Sequence, residues 1–277
     1  MTNRLIVAIL LFLSLPFAGP VFAQDGDPRH PLLEDDFILS VGGFLPSKEF
    51  KIRVDGQVPG RDIDFNEGVD VAKDDATGSL TFLWRFGEKW SVGGQYFRTS
   101  DSGSLILSED ISWGENVLKS GSSVGAGIDV DVARIFFGRE FSSGPRHELG
   151  AGVGLHWLQI GAFIEGEFFV NDASSGFRRE TATADAPLPN IGAWYWYAFS
   201  PRWLLSTRVD WLGATVGDYS GNLWDASAGI NFQAWEHVGL GLSYQYFGID
   251  LDVDKTDWLG RVELSYSGPF ISLNVNW

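Results

Sequence analysis

Ser267-Gly-Pro-Phe-Ile-Ser-Leu-Asn-Val-Asn-Trp277 decides how this chain reads. From Ile271 onward the stretch alternates without a break: Ile271, Leu273, Val275 and Trp277 on one side, Ser272, Asn274 and Asn276 on the other. Successive side chains of a strand point to opposite faces, so this is a strand with one apolar and one polar face. A soluble sandwich would cover the apolar face with a second sheet. A membrane would cover it with lipid.

Composition favours lipid. Met1–Ala23 has Arg4 as a positive start, an apolar run from Leu5 to Phe17 and the small-residue pattern Val21-Phe22-Ala23, so it reads as a secretory signal peptide removed before Gln24. The run is too short for a spanning helix of about twenty residues, and no later stretch approaches eighteen apolar residues. The chain has no cysteine, which excludes disulfides, thiol catalysis, thiolate metal sites and a lipoprotein anchor. Without Arg4, 19 basic residues stand against 36 acidic ones, a poor surface for nucleic acid. Trp 12, Phe 21 and Gly 34 suit a membrane barrel, whose interfaces carry aromatic girdles.

Gln24–Asp36 is a short polar lead-in, expected to be periplasmic, and Phe37–Trp277 forms the barrel. Four tight polar turns flanked by aromatics punctuate the rest: Phe86–Trp90, Phe141–His147, Phe199–Trp203 and Ala234–His237. Longer connections lie between them at Asp55–Thr77, Thr99–Ser123, Gly166–Ala186, Gly213–Gly221 and Asp250–Asp257. Short turns on the periplasmic side and long loops outside are the outer-membrane arrangement. Four turns and five loops make ten strands, so the expected fold is all-β, a transmembrane antiparallel up-and-down β-barrel, with eight or twelve strands as alternatives.

Alternation assigns the faces. Trp90, Val92, Gly94 and Tyr96 point to lipid; so do Leu149, Val153 and Trp157; Leu205, Thr207, Val209 and Trp211; Trp224, Ile230 and Phe232; and Val238 to Tyr246 at every second position. Gln95, His156, Ser206, Arg208, Asp210 and Asp225 point inward, as do Arg85, Arg134, Arg261, Glu263, Asp129 and Asp131. Arg208 with Asp210, and Arg261 with Glu263, share a face and look self-compensating, with Asp210, Glu263 and another carboxylate all open as the partner of Arg208, so the lumen reads as polar and filled. In the last strand Val262, Leu264 and Tyr266 are even-numbered, whereas the apolar residues from Ile271 are odd-numbered. A bulge at Ser267–Pro269, where glycine and proline are tolerated, would bring Tyr266 and Ile271 to the same lipid face.

The terminal aromatic Trp277 resembles the C-terminal signal strand of bacterial outer-membrane barrels. Phe37–Phe44, Gly60–Phe65, Glu148–His156, Ala186–Pro189, Gly239–Tyr244 and Gly268–Phe270, in that order, resemble a family of uncharacterised proteobacterial outer-membrane barrel proteins of the small-barrel type. The resemblance implies residence in the outer membrane, lipid and lipopolysaccharide as surroundings, and recognition of the last strand by the barrel assembly machinery. It implies no activity. Similarity to the wider group of eight- to twelve-strand barrels, which includes enzymes, adhesins and small-solute pores, leaves those classes open.

The chemistry is sparse. An outer-leaflet lipid enzyme needs a nucleophile and a base. His30 lies in the lead-in, His147 and His237 lie in turns, and His156 faces the lumen with no accompanying serine signature. No catalytic, cofactor-binding or metal residue is assigned. Asp250, Asp252 and Asp254, with Asp257 nearby, and Asp62 and Asp64, with Glu67, could offer oxygen ligands to a hard cation but lack the pattern of a calcium loop. The expected role is structural or interactive, with a narrow solute channel as the alternative and a lipid-modifying enzyme behind it.

Overall fold

The computed structural model describes residues 29–44, 47–55, 63–64, 77–106, 111–113, 116–170, 173–216, 219–255 and 258–277. Its strands are β1 (Phe37–Phe44), β2 (Ser47–Asp55), β3 (Ile63–Asp64), β4 (Thr77–Phe86), β5 (Trp90–Ile106), β6 (Ile111–Trp113) and β7 (Asn116–Leu118). They continue with β8 (Ser123–Gly144), β9 (His147–Val170), β10 (Ala173–Ser200), β11 (Trp203–Val216), β12 (Tyr219–Trp235), β13 (Val238–Lys255) and β14 (Trp258–Asn276). A single helical turn, α1 (Pro31–Glu34), precedes them.

Every wall strand is antiparallel to its neighbours, and pairing of β1 with β14 closes the ring. β1 and β2 are two halves of one wall strand, since both pair along β14. With β4, β5 and β8 to β14 they make the expected ten-strand antiparallel barrel. Closure leaves no edge within the ring, which a chain in lipid requires because hydrocarbon satisfies no backbone polar group. The four tight turns fall where alternation breaks, at one end of the barrel.

Around that end the outward face is a belt of exposed apolar residues, among them Val41, Leu80, Ile135, Val153, Ile191 and Leu242. Aromatic rings rim it. Phe37 stacks between Trp84 at 6.0 Å and Trp277 at 5.6 Å, and Trp203 meets Phe232 at 4.7 Å. The opposite rim carries Tyr96, Trp157 and Tyr244, and Trp211 beside Trp224 at 6.2 Å. Trp203 to Trp211 is about 26 Å of strand at ~3.3 Å per residue, which at a tilt of ~40° covers about 20 Å of the ~25 Å apolar band of outer-membrane barrels.

Beyond the second rim the polarity turns inside out. Phe97, Val130, Val132, Phe247, Leu264 and Tyr266 now point inward in one buried cluster. Asp129 and Asp131 point outward and meet the half-exposed Arg98 at 3.9 and 3.8 Å, while the Tyr96 hydroxyl donates to Asp131 at 2.6 Å. Here the wall has water outside, so its apolar residues are buried by facing in, as in a soluble barrel.

This inversion corrects the expected bulge. The β13–β14 register is continuous from Val238↔Val275 to Lys255↔Trp258, through Ser243↔Phe270 and Tyr246↔Ser267. Parity never changes; the environment does. Ser267–Pro269 lies level with Tyr244 and Tyr246, at the crossover, so Ile271 is exposed to lipid and Tyr266 is buried in the lumen at 3 %. Asp129, Asp131 and Glu263 accordingly face outward, not inward, and the side chain of Arg261 lies outside the described set.

The long connections are mostly strand. β9 and β10 stay paired from His147↔Tyr197 to Val170↔Ala173, so the expected loop at Gly166–Ala186 is a hairpin arm. Likewise β5 and β8 continue to Ile106↔Ser123, and β13 and β14 to Lys255↔Trp258. The expected acidic groups fall mainly outside the described side chains: Asp62 is not described at all, and Asp64, Asp252 and Asp254 are placed by backbone only.

Candidate functional site: the filled lumen

Three tiers occupy the barrel interior. At the turn end the lead-in folds inward as a plug. His30 caps α1 by accepting the Leu32 N–H on Nδ1 at 3.2 Å, and Leu32 packs with Ile38, Ala198 and Leu204. Arg85 receives the end of that turn, donating to the carbonyls of Leu32 at 2.9 Å and Asp35 at 2.7 Å and pairing with Glu148 at 3.0 Å. The Trp194 indole donates to the other Glu148 oxygen at 2.6 Å. Asn276 closes the ring by donating to the Asp35 carboxylate at 2.5 Å and accepting from Gln233 at 2.9 Å. His30 is 1 % exposed. Desolvation holds its imidazole down to about 4, only partly opposed by the Arg202 backbone carbonyl.

Above the plug lies a small chamber of about 160 Å³ with a mixed lining, apolar at Leu83, Trp196 and Phe270 and polar at Ser206, Asn231 and Asn274. The chain of Ser272 to Asn274 at 3.1 Å, Asn274 to Asn231 at 3.0 Å and Asn231 to Ser206 at 2.9 Å runs along its wall. A second cleft of about 320 Å³ opens at the turn end beside Arg85, Glu148 and Trp194.

The middle tier is a charged knot spanning five strands, β8 to β12. Arg134 on β8 donates from Nη2 to Asp210 on β11 at 3.0 Å, and its Nε lies 2.7 Å from the other oxygen as an ion pair. Arg208 on β11 donates to both oxygens of Asp225 on β12, at 2.7 and 2.9 Å, and its Nη1 lies 3.6 Å from Asp210. His156 on β9 bridges Asp225 at 3.2 Å and Asn190 on β10 at 3.0 Å. Gly192, between Asn190 and Trp194 on the inward face, makes room: a Cβ there would collide with the Asp210 carboxylate. Guanidinium groups suit such a cluster because their several N–H donors point in fixed directions and can reach carboxylates on neighbouring strands at once.

Alternation placed Arg134, His156, Arg208, Asp210 and Asp225 inside, and they are inside. It left the partner of Arg208 open among Asp210, Glu263 and another carboxylate; Asp225 is the shorter contact and Asp210 the longer one, and parity was the only signal for Asn190. The Arg261–Glu263 pair does not enter the lumen, because Glu263 faces out.

The knot does not read as a reactive centre. His156 is fully buried, with its two ring nitrogens engaged by Asn190 and Asp225. Ligand atoms of His156, Asp210 and Asp225 lie within 4.8 Å of one another. Both carboxylates, however, already carry an arginine, so a metal cation would have to displace two bound guanidinium groups.

The third tier is the apolar cluster of the outer half, where an expected polar lumen becomes hydrophobic. Phe97, Phe247 and Tyr266 contact ring to ring, and His156 touches Phe247 from below at 6.2 Å. Fully burying such a side chain is worth about 1.5–3 kcal/mol. Parting these three for a passing solute would therefore cost about 4.5–9 kcal/mol.

No family model and no curated protein matches this chain. Among solved structures it is similar to the outer membrane protease OmpT from Escherichia coli, with a TM-score of 0.57 and 11% identity over 88% of this chain and 97% of that one. The transport unit of the autotransporter AIDA-I from Escherichia coli (TM-score 0.39, 12% identity, 98% and 97% covered) and the attachment invasion locus protein Ail of Yersinia pestis (TM-score 0.31, 11% identity, 86% and 99% covered) also match. The likeness to OmpT is one of fold: this chain is a barrel of the outer-membrane type.

Proposed function

We propose that this chain is an integral protein of a bacterial outer membrane in which the barrel is a sealed anchor and the hairpin end, outside the cell, makes the contacts that matter. The three-tier filling of the lumen carries this reading. Plug, charged knot and apolar cluster each use the cross-section that a channel would need for water. Ten strands already lie near the size at which side chains fill a barrel, since about eight leave just enough room for them and open channels belong to about sixteen. In this reading the belt meets outer-membrane lipid, and the Arg98–Asp129–Asp131 ring above Tyr96 meets lipopolysaccharide head groups. Residues 1–23 serve as the cleaved address, and the Trp277 strand is read by the assembly machinery. Neither a catalytic nor a nucleic-acid role is assigned.

Planar-bilayer recording tests it. Purified protein is expected to give no stable unitary current. Reproducible, ion-selective single-channel steps would overturn the sealed anchor and establish a narrow solute channel instead.

A further inference from the structure

The β10–β11 ladder runs only from Ser200↔Trp203 to Ile191↔Trp211, level with the second aromatic rim, whereas β9–β10 continues far beyond it. Among the described residues, no strand therefore pairs with Ser174–Asn190 on the side of β10 away from β9. An open edge is a template for another strand, and natural proteins usually blunt it. Here it is blunted at its two ends only. At one end the ladder slips between Ser174 and Gly176, and Gly176 has φ +90°. At the other stand Pro187 and Pro189, which pair with Trp157 and Leu155 of β9. A residue without an N–H is tolerated in a sheet where that position faces away from a neighbour. The odd-numbered residues of this stretch thus turn their backbone polar groups to the open side. The usable edge is Phe177–Pro187, and its midpoint is Ala182.

About that midpoint the edge is complementary to itself. Two copies set antiparallel around a two-fold axis through Ala182 place Phe177 against Pro187, Arg179 against Asp185 and Thr181 against Thr183, each pair twice. All six side chains are exposed, Phe177 at 73 %. Opposite charges and threonine pairs are favourable cross-strand neighbours. Other registers lose this: centring on Arg179 sets like charges together, and centring on Thr181 or Thr183 leaves Arg179 without a carboxylate. Arg179 sits over the Phe163 ring and 3.6 Å from Glu165 with its side chain half exposed, so donors remain for a partner. In a chain of net charge −16 this segment is neutral, with Arg178 and Arg179 against Glu180 and Asp185.

We infer that the Phe177–Pro187 edge of β10 pairs antiparallel with the same edge of a second copy held in a facing membrane. The axis that makes the strands antiparallel also inverts one barrel relative to the other, so the two copies cannot share a membrane. This names the partner for the contact-making end proposed above and rests on that reading.

Because the odd-numbered residues make the interchain bonds, Ala182 meets its twin in a non-hydrogen-bonded pair, with Cα atoms about 4.5 Å apart. Such a pair accepts a disulfide, which needs about 4.4–6.8 Å. The chain has no cysteine of its own. Two cell populations displaying Ala182→Cys under different epitope tags, mixed and mildly oxidised, are expected to yield a disulfide dimer carrying both tags. Thr181→Cys cells should cross-link to Thr183→Cys cells, while neither population cross-links with itself. Adding Thr183→Pro to Ala182→Cys removes an edge N–H and should abolish the dimer. Heat-modifiable gel mobility would confirm that each variant's barrel is folded. Folded Ala182→Cys that stays monomeric, a dimer formed only within one population, or equal cross-linking by Thr181→Cys alone would overturn the inference. None of these results bears on bilayer conductance, so failure here and failure of the sealed anchor remain distinct.

Discussion

Asp210→Ala is expected to be among the most damaging single changes in the barrel, and the charged knot says why. Asp210 accepts from Arg134 Nη2 at 3.0 Å, its other oxygen lies 2.7 Å from Arg134 Nε as an ion pair, and the two side chains are 0 % and 6 % exposed. Removing the carboxylate leaves Arg134 with the more distant charge of Asp225 and the Phe136 ring 4.5 Å beneath it. Arg208 suffers less, because it keeps both Asp225 contacts. Breaking a buried pair by deleting one member costs about 3–5 kcal/mol, chiefly through the orphaned charge. Replacing the pair with apolar groups of similar size removes that penalty, so Arg134→Met with Asp210→Ala should recover about 1–3 kcal/mol of the sum of the single losses. Denaturant unfolding of the protein refolded in lipid vesicles, followed by its tryptophan fluorescence, would read all four corners of the cycle. A single-mutant loss under about 1 kcal/mol, or a double mutant as costly as the two singles added, would refute the reasoning.

Two other outcomes follow from the same geometry. Ile271→Cys should react with a membrane-soluble thiol reagent, whereas Tyr266→Cys, buried in the apolar tier, should react with neither a membrane-soluble nor a water-soluble one; labelling of Tyr266→Cys from the membrane would restore the bulge. The plug should loosen in acid: its folded imidazole is held down to about 4 against about 6.5 when free, so the undocked segment takes up the proton first. Docking is therefore complete above about pH 6.5 and weakens as pH falls toward 4. Limited proteolysis of the lead-in between pH 7 and 4 should show this in the wild type and not in His30→Phe, and an identical pH dependence in both would refute it.

Local alternation made much of this molecule legible. The run from Ile271 to Trp277, the turns at Phe86–Trp90 and Phe199–Trp203, and the faces of Leu205–Trp211 all follow from a period of two and from turn chemistry that needs no distant partner. The inward direction of His156, Arg208, Asp210 and Asp225 came from the same rule. What alternation cannot carry is the medium a face meets. Tyr266 and Ile271 differ in parity and are both apolar, because one is buried by the lumen above the rim and the other by lipid below it. That distinction depends on height along the barrel, which only the assembled ring defines. The same holds for partners. Arg208 stands two residues from Asp210, yet its shorter bonds go to Asp225, and Arg134 reaches Asp210 from 76 positions away. Strand order and register bring those groups together, and both are set by closure of the ring. The sequence by itself thus determined the alternation, the tight turns and the facing of the strands below the second rim. Tertiary structure decided which side chains share the lumen, why its outer half is dry, and where β10 is left without a neighbour.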